Sequence, residues 1–76
     1  MYYVEFSSRA YREINKLDYY SKLMVINWIE KNLEGSEDPR SIGKPLIKGQ
    51  RNKWIYKIGD YRLLCKIEGN RLIMLF

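Results

Sequence analysis

The chain has 76 residues, a net charge of +5, one cysteine and no histidine. A domain this small buries only about 60% of its unfolded surface, and a lone cysteine excludes help from an internal disulfide. Without histidine, proton transfer falls to Lys, Asp, Glu or Tyr, and the absence of metal-ligand spacings, a Walker loop, GxGxxG or a CxxC pair leaves no metal or cofactor expected.

Met1 to Phe6 alternates as a first strand, with Tyr2, Val4 and Phe6 on one face and Tyr3 and Glu5 on the other. No signal peptide is expected ahead of it. Ser7 and Ser8 are natural N-cap residues and predict a helix from about Arg9 to Leu17. Its core stripe is Ala10, Ile14 and Leu17, with Tyr11 beside them, and its wet face is Arg9, Arg12, Glu13 and Lys16. After a short break at Asp18 to Ser21, a second helix is predicted from about Tyr20 to Leu33. Leu23, Ile26 and Leu33, with Ile29 or Trp28, form its apolar stripe, widened by Met24 and Val25. That face either packs against both the first helix and a sheet or awaits a partner. Gly35 stops the helix.

Residues 36–52 show no clean period. Ser36 to Arg40 is turn-like, Pro45 is barred from a central helix or strand position, and Leu46 and Ile47 are expected to tuck under the loop. Lys44, Lys48 and Arg51 carry charge to the entrance of a hairpin. There Trp54, Tyr56 and Ile58 alternate with Lys53, Ile55 and Lys57. Gly59-Asp60 supplies the turn, and Tyr61, Leu63, Cys65 and Ile67 alternate with Arg62, Leu64, Lys66 and Glu68. Cys65 reads as a small core residue and suits a reducing cytoplasm. Gly69-Asn70 makes a second turn into a last strand, Arg71 to Phe76. No apolar run approaches the ~20 residues of a membrane span.

The predicted order is β-α-α-β-β-β in one domain over residues 1–76. It is an α+β fold with two N-terminal helices packed on one face of a mostly antiparallel sheet. The chain stops on an apolar residue in mid-strand, so a further C-terminal segment beyond Phe76, trimmed or disordered, is expected. The charge is one-sided: residues 1–43 carry six basic and seven acidic side chains, residues 44–76 eight and two. A basic hairpin half is the footprint of a polyanion binder, or else a solvated sheet face.

The Lys-Pro-Leu-x-Lys-Gly loop (Lys44 to Gly49) and the Trp-x-Tyr-basic-Ile-Gly-Asp-Tyr-Arg hairpin (Trp54 to Arg62), in this order of elements, resemble the RelE/ParE superfamily of toxins from type II toxin–antitoxin pairs. The resemblance spans essentially the whole chain. It implies a RelE-like domain that enters the ribosome and cuts mRNA by attack of a ribose 2′-OH on the adjacent phosphate. It also implies a cytoplasmic setting and a small RelB-like antitoxin partner. A ParE-like DNA gyrase inhibitor is the alternative, as is a truncated module that binds antitoxin or RNA without catalysis.

Carried onto this sequence, the resemblance makes Arg62 and Lys57 the catalytic residues. Arg62 suits bidentate phosphate contact and stabilisation of developing charge. Lys57 neutralises a phosphate or, were its pKa depressed among other cations, would share in proton transfer. Lys53, Lys48, Arg51 and Lys66 are the RNA-positioning charges. The plainer alternatives are a cross-strand ion pair of Arg62 with Glu68 or Asp60, and a solvated Lys57. Trp54 and Tyr61 either stack bases or sit in the core. Two features depart from the family pattern. Ile55 stands where relatives often have a second basic residue, and the Gly-(His/Lys)-Arg-x-x-x-Tyr-like segment after the last strand is missing.

Overall fold

The computed structural model describes residues 1–49 and 51–76. Strand β1 is Tyr3–Phe6, helix α1 Ser8–Asn15 and helix α2 Tyr19–Asn32; a 3₁₀ turn, Pro39–Ile42, leads into a two-residue strand β2, Lys44–Pro45. Strands β3, Lys53–Ile58, β4, Tyr61–Glu68, and β5, Arg71–Met74, complete the order. The result is the expected α+β architecture: two helices packed on one face of a mixed sheet.

Both helices start where the side chains can serve the orphan N–H groups. Ser7 Oγ accepts from Ala10 N at 3.0 Å, and Asp18 Oδ2 accepts from Ser21 N at 3.2 Å. Asp18 is therefore the N-cap of α2, and the break between the helices is Lys16 to Asp18, earlier in the chain than the sequence predicts. The stripe α2 buries is Val25, Ile29 and Leu33, at i, i+4 and i+8, with Trp28 beside it. Burying each such aliphatic side chain contributes about 1.5–3 kcal/mol. This corrects the predicted stripe. At about 100° per residue, Leu23 and Met24 fall more than 100° from its centre, and they are 38% and 42% exposed. Ala10 and Ile14 of α1 are buried as predicted, and Leu17 is half-buried.

The sheet runs β1-β5-β4-β3-β2. β1 pairs parallel with β5, from Tyr3 opposite Arg71 to Phe6 opposite Met74; every other pair is antiparallel. The β3–β4 hairpin turns on two residues. Gly59 has φ +60° and Asp60 does not, which is the arrangement of a type II′ turn. Such a turn dictates register and places Lys57 opposite Arg62 and Lys53 opposite Lys66. Tyr56, Ile58, Leu63, Cys65, Ile67, Leu72 and Met74 face the helices and are buried. The opposite, outer face carries Lys53, Ile55, Lys57, Arg62, Leu64 and Lys66, with no helix over it.

Other details differ from the predicted elements. No strand is predicted at Lys44–Pro45, but β2 is an edge, where the missing N–H of Pro45 removes no ladder bond, so its exclusion from a central strand holds. Leu46 and Ile47 are not tucked in but exposed, since the loop turns outward between β2 and β3. β5 ends at Met74 rather than Phe76: Leu64 N donates to Phe76 O while Leu75 N donates to Leu64 O, so two residues oppose one in a bulge. Phe6 is exposed instead of sharing the burial of Tyr2 and Val4.

Candidate nucleic-acid interface

Among the described residues there is no group of metal-ligating side chains, and no helix is long and apolar enough to cross a membrane. The feature that gathers charge is a groove of about 510 Å³ on the outer face of the sheet. Lys57 and Arg62 form one wall, Ile55 the floor, and Ser41 to Pro45 the facing wall. Lys57 and Arg62 are direct ladder partners, one before and one after the Gly59-Asp60 turn. Side chains directly opposite in an antiparallel pair stand about 5 Å apart at Cβ. Two cations so placed repel unless an anion lies between or beside them.

The ion pairs of the sheet leave this corner uncompensated. Arg71 is held by Glu5 at 2.6 Å and faces Glu68 at 4.0 Å, while Lys66 lies 2.9 Å from Glu68. Arg71 pulls the Glu5 carboxyl below its ordinary pKa, and Lys66 does the same to Glu68. Lys57 and Arg62 form no ion pair with the described residues, so Arg62 pairs with neither Glu68 nor Asp60 there.

The remaining predicted site residues do not join the groove. Lys53 and Lys66 are ladder partners four residues up the hairpin from Lys57, about 13 Å along the strand. Lys66 is already committed to Glu68. Lys48 and Arg51 lie exposed in the β2–β3 loop, beyond the Leu46 N to Lys53 O bond that closes it. The Arg51 carbonyl accepts both Arg40 Nε and Nη2, at 3.1 and 3.0 Å, and Trp54 Nε1 at 2.9 Å. Trp54 and Tyr61 are half-buried against the core. Conversely, Lys44 and Ser41 line the groove and belong to no predicted site. The signal for Lys44 is its neighbour: Pro45 marks an edge strand, and an edge strand beside β3 brings Lys44 to Ile55.

Residues 4–76 match the family model described as the ParE toxin of type II toxin–antitoxin system, parDE. The chain belongs to that toxin family. The toxin also matches a solved structure, the toxin–antitoxin complex RelBE2 from Mycobacterium tuberculosis, with a TM-score of 0.82 and 29% sequence identity. That match covers 97% of this chain and 91% of the other. No curated protein matches in sequence. The expected membership in the RelE/ParE superfamily is thus borne out, and the two matches bear the names of both its branches.

Proposed function

We propose that this toxin is a ribosome-dependent mRNA endonuclease whose reacting phosphate lies against Arg62 and Lys57. The observation that carries the reading is the pair itself: two cations adjacent across one ladder, without a carboxylate partner among the described residues, on a groove of about 510 Å³. The Arg62 guanidinium grips two non-bridging phosphate oxygens and stabilises the charge that grows there as the ribose 2′-oxygen attacks. The 2′-OH gives its proton to solvent water, the phosphorus–O5′ bond breaks, and the Lys57 ammonium protonates the leaving oxygen. Among the described residues the groove is lined by no carboxylate and no tyrosine. Catalysis here therefore rests on positioning and charge stabilisation, with no strong general base. Ile55 in the floor leaves the site one cation short of the pattern its relatives often show.

The family and the neighbouring complex support an antitoxin partner for this chain as well. An acidic antitoxin segment complements the basic half of the toxin. A second reading, inhibition of DNA gyrase, is favoured by the parDE family model. It needs no ribosome and no bond cleavage at Arg62.

Primer extension on an mRNA under translation in a purified system separates the two. Wild-type protein is compared with Arg62→Ala and with a ribosome-free control, and a gyrase supercoiling assay runs beside them. Cuts that require ribosomes and vanish in Arg62→Ala are expected. Intact mRNA together with abolished supercoiling would transfer the toxin to the gyrase reading.

A further inference from the structure

Lys44 lies on the same face of the sheet as Lys57 and Arg62, although thirteen residues separate it from Lys57. It pairs with Ile55 in the β2–β3 register, and directly opposed residues point to one face. Lys57 is two residues beyond Ile55, which makes Lys44 its diagonal neighbour at roughly 7–8 Å. Lys44, Lys57 and Arg62 then form a triangle of cations around one groove, and no described carboxylate is within ion-pair distance of any of them. Such mutual repulsion is relieved by a polyanion in the groove.

The segment that precedes Lys44 is tied to a buried phenol, Tyr56, on the other side of the sheet. Tyr56 is 0% exposed, and its Oη donates to the Pro39 carbonyl at 2.8 Å. Its ring also lies against Gly43, so closely that a Cβ at that position would be 2.6 Å from Cε1. One side chain thus holds both ends of the segment from Pro39 to Gly43, the segment that forms the wall opposite Lys57 and delivers the chain to Lys44. Pro39 is itself fully buried, which leaves the anchor little room to shift.

We infer that Lys44 is a third phosphate-contacting residue of the groove and that Tyr56 is the positioning residue that holds it in place. The inference rests on the polyanion reading of the Lys57–Arg62 site and adds to it a contact and a support. Lys44 neutralises the phosphate next to the one on Arg62, and removal of the Tyr56 hydroxyl lets the wall and Lys44 drift outward.

The test is a salt titration of binding to a fluorescent ten-nucleotide oligouridylate by the full chain. Removing one neutralised phosphate lowers the slope of log K against log salt by about 0.7. Lys44→Ala is expected to lower the slope by that amount, and Lys44→Arg to restore it. Tyr56→Phe is expected to weaken binding severalfold and lower the slope similarly. Adding Lys44→Ala to Tyr56→Phe should then lower it no further, a non-additivity that a purely structural role would not produce. Lys44 is exposed, so its variants test the contact even if Tyr56→Phe folds poorly. An unchanged slope in Lys44→Ala beside a lowered one in Lys57→Ala overturns the inference and leaves the underlying reading standing. A Tyr56→Phe protein with lower Tm and wild-type slope removes Tyr56 from the role. No RNA binding, or slopes unmoved by Lys57→Ala and Arg62→Ala, overturns both.

Discussion

Lys66 Nζ lies 2.9 Å from Glu68 Oε1, two residues along the same strand and on the same face. The pair compensates Lys66, as Glu5 compensates Arg71, while Lys53, Lys57 and Arg62 form no ion pair among the described residues. Lys66→Ala is therefore expected to leave RNA affinity and its salt slope nearly unchanged. Glu68→Gln frees Lys66 and should steepen the slope by about 0.7. A large drop in affinity in Lys66→Ala would show that the carboxylate yields to RNA.

The free edge of β1 is covered by the end of α2 and its turn. Val4 N donates to Glu34 Oε2 at 2.8 Å, Gly35 N to Tyr2 O at 2.8 Å, and Tyr2 N to Ser36 O at 2.9 Å. An uncovered strand edge invites pairing with another chain. Glu34→Ala should cost about 1 kcal/mol in urea denaturation, and sedimentation should show more self-association than in the wild type.

Gly43 has no side chain because the Tyr56 ring fills the space. A Cβ would meet Cε1 at 2.6 Å, Cδ1 at 2.8 Å and the Ile55 carbonyl at 3.0 Å. Gly43→Ala is expected to destabilise the fold by about 1–3 kcal/mol, the usual range for overpacking. A midpoint in chemical denaturation that matches the wild type would mean that the wall of the groove moves freely.

Acid should loosen the fold through three carboxylates. Arg71 depresses Glu5, Lys66 depresses Glu68, and the Ser21 side chain and N–H depress Asp18. A group with a depressed folded pKa contributes stability that is present above its ordinary value, near 4 to 4.5, and disappears as pH falls through the folded one. Tm should thus be flat above about pH 5 and drop below it. The Glu5→Gln, Glu68→Gln double variant should have a shallower acid limb. All three groups are exposed, so added salt should shrink the Glu5 and Glu68 contributions.

Cys65 is fully buried, and burial pushes its thiol up to about 12. Little thiolate exists at neutral pH, and thiolate is the reactive form. Iodoacetamide should leave the native protein unmodified over hours and alkylate it fully in urea, as read by intact mass.

The hairpin is legible in the sequence because its information is local. Gly59-Asp60 between two alternating runs specifies a two-residue turn, and that turn alone makes Lys57 and Arg62 neighbours. The helices are legible in kind and nearly in extent, through the Ser7 cap and the helical spacing. The buried face of α2 is not. Leu23, Met24, Val25, Ile26, Trp28 and Ile29 are all apolar, so the pattern permits several stripes, and only packing against the sheet selects Val25, Ile29 and Leu33. The short β2 is hidden because proline reads as a strand breaker until the strand is known to be an edge. The ion pair of Lys66 with Glu68 is invisible in a count of charges along the hairpin, because it depends on what lies two residues away on the same face.

By itself the sequence determined the class of elements, the hairpin register, the concentration of positive charge in the second half and the toxin family, all properties carried by neighbouring residues or by pattern. Only the tertiary structure decided which cations stay uncompensated and which enter one groove. Lys44 reaches Lys57 through a strand pairing across a loop, and Tyr56 reaches Pro39 across seventeen residues. Contacts of that span depend on how the whole sheet and its covering segment pack, and no local period encodes them.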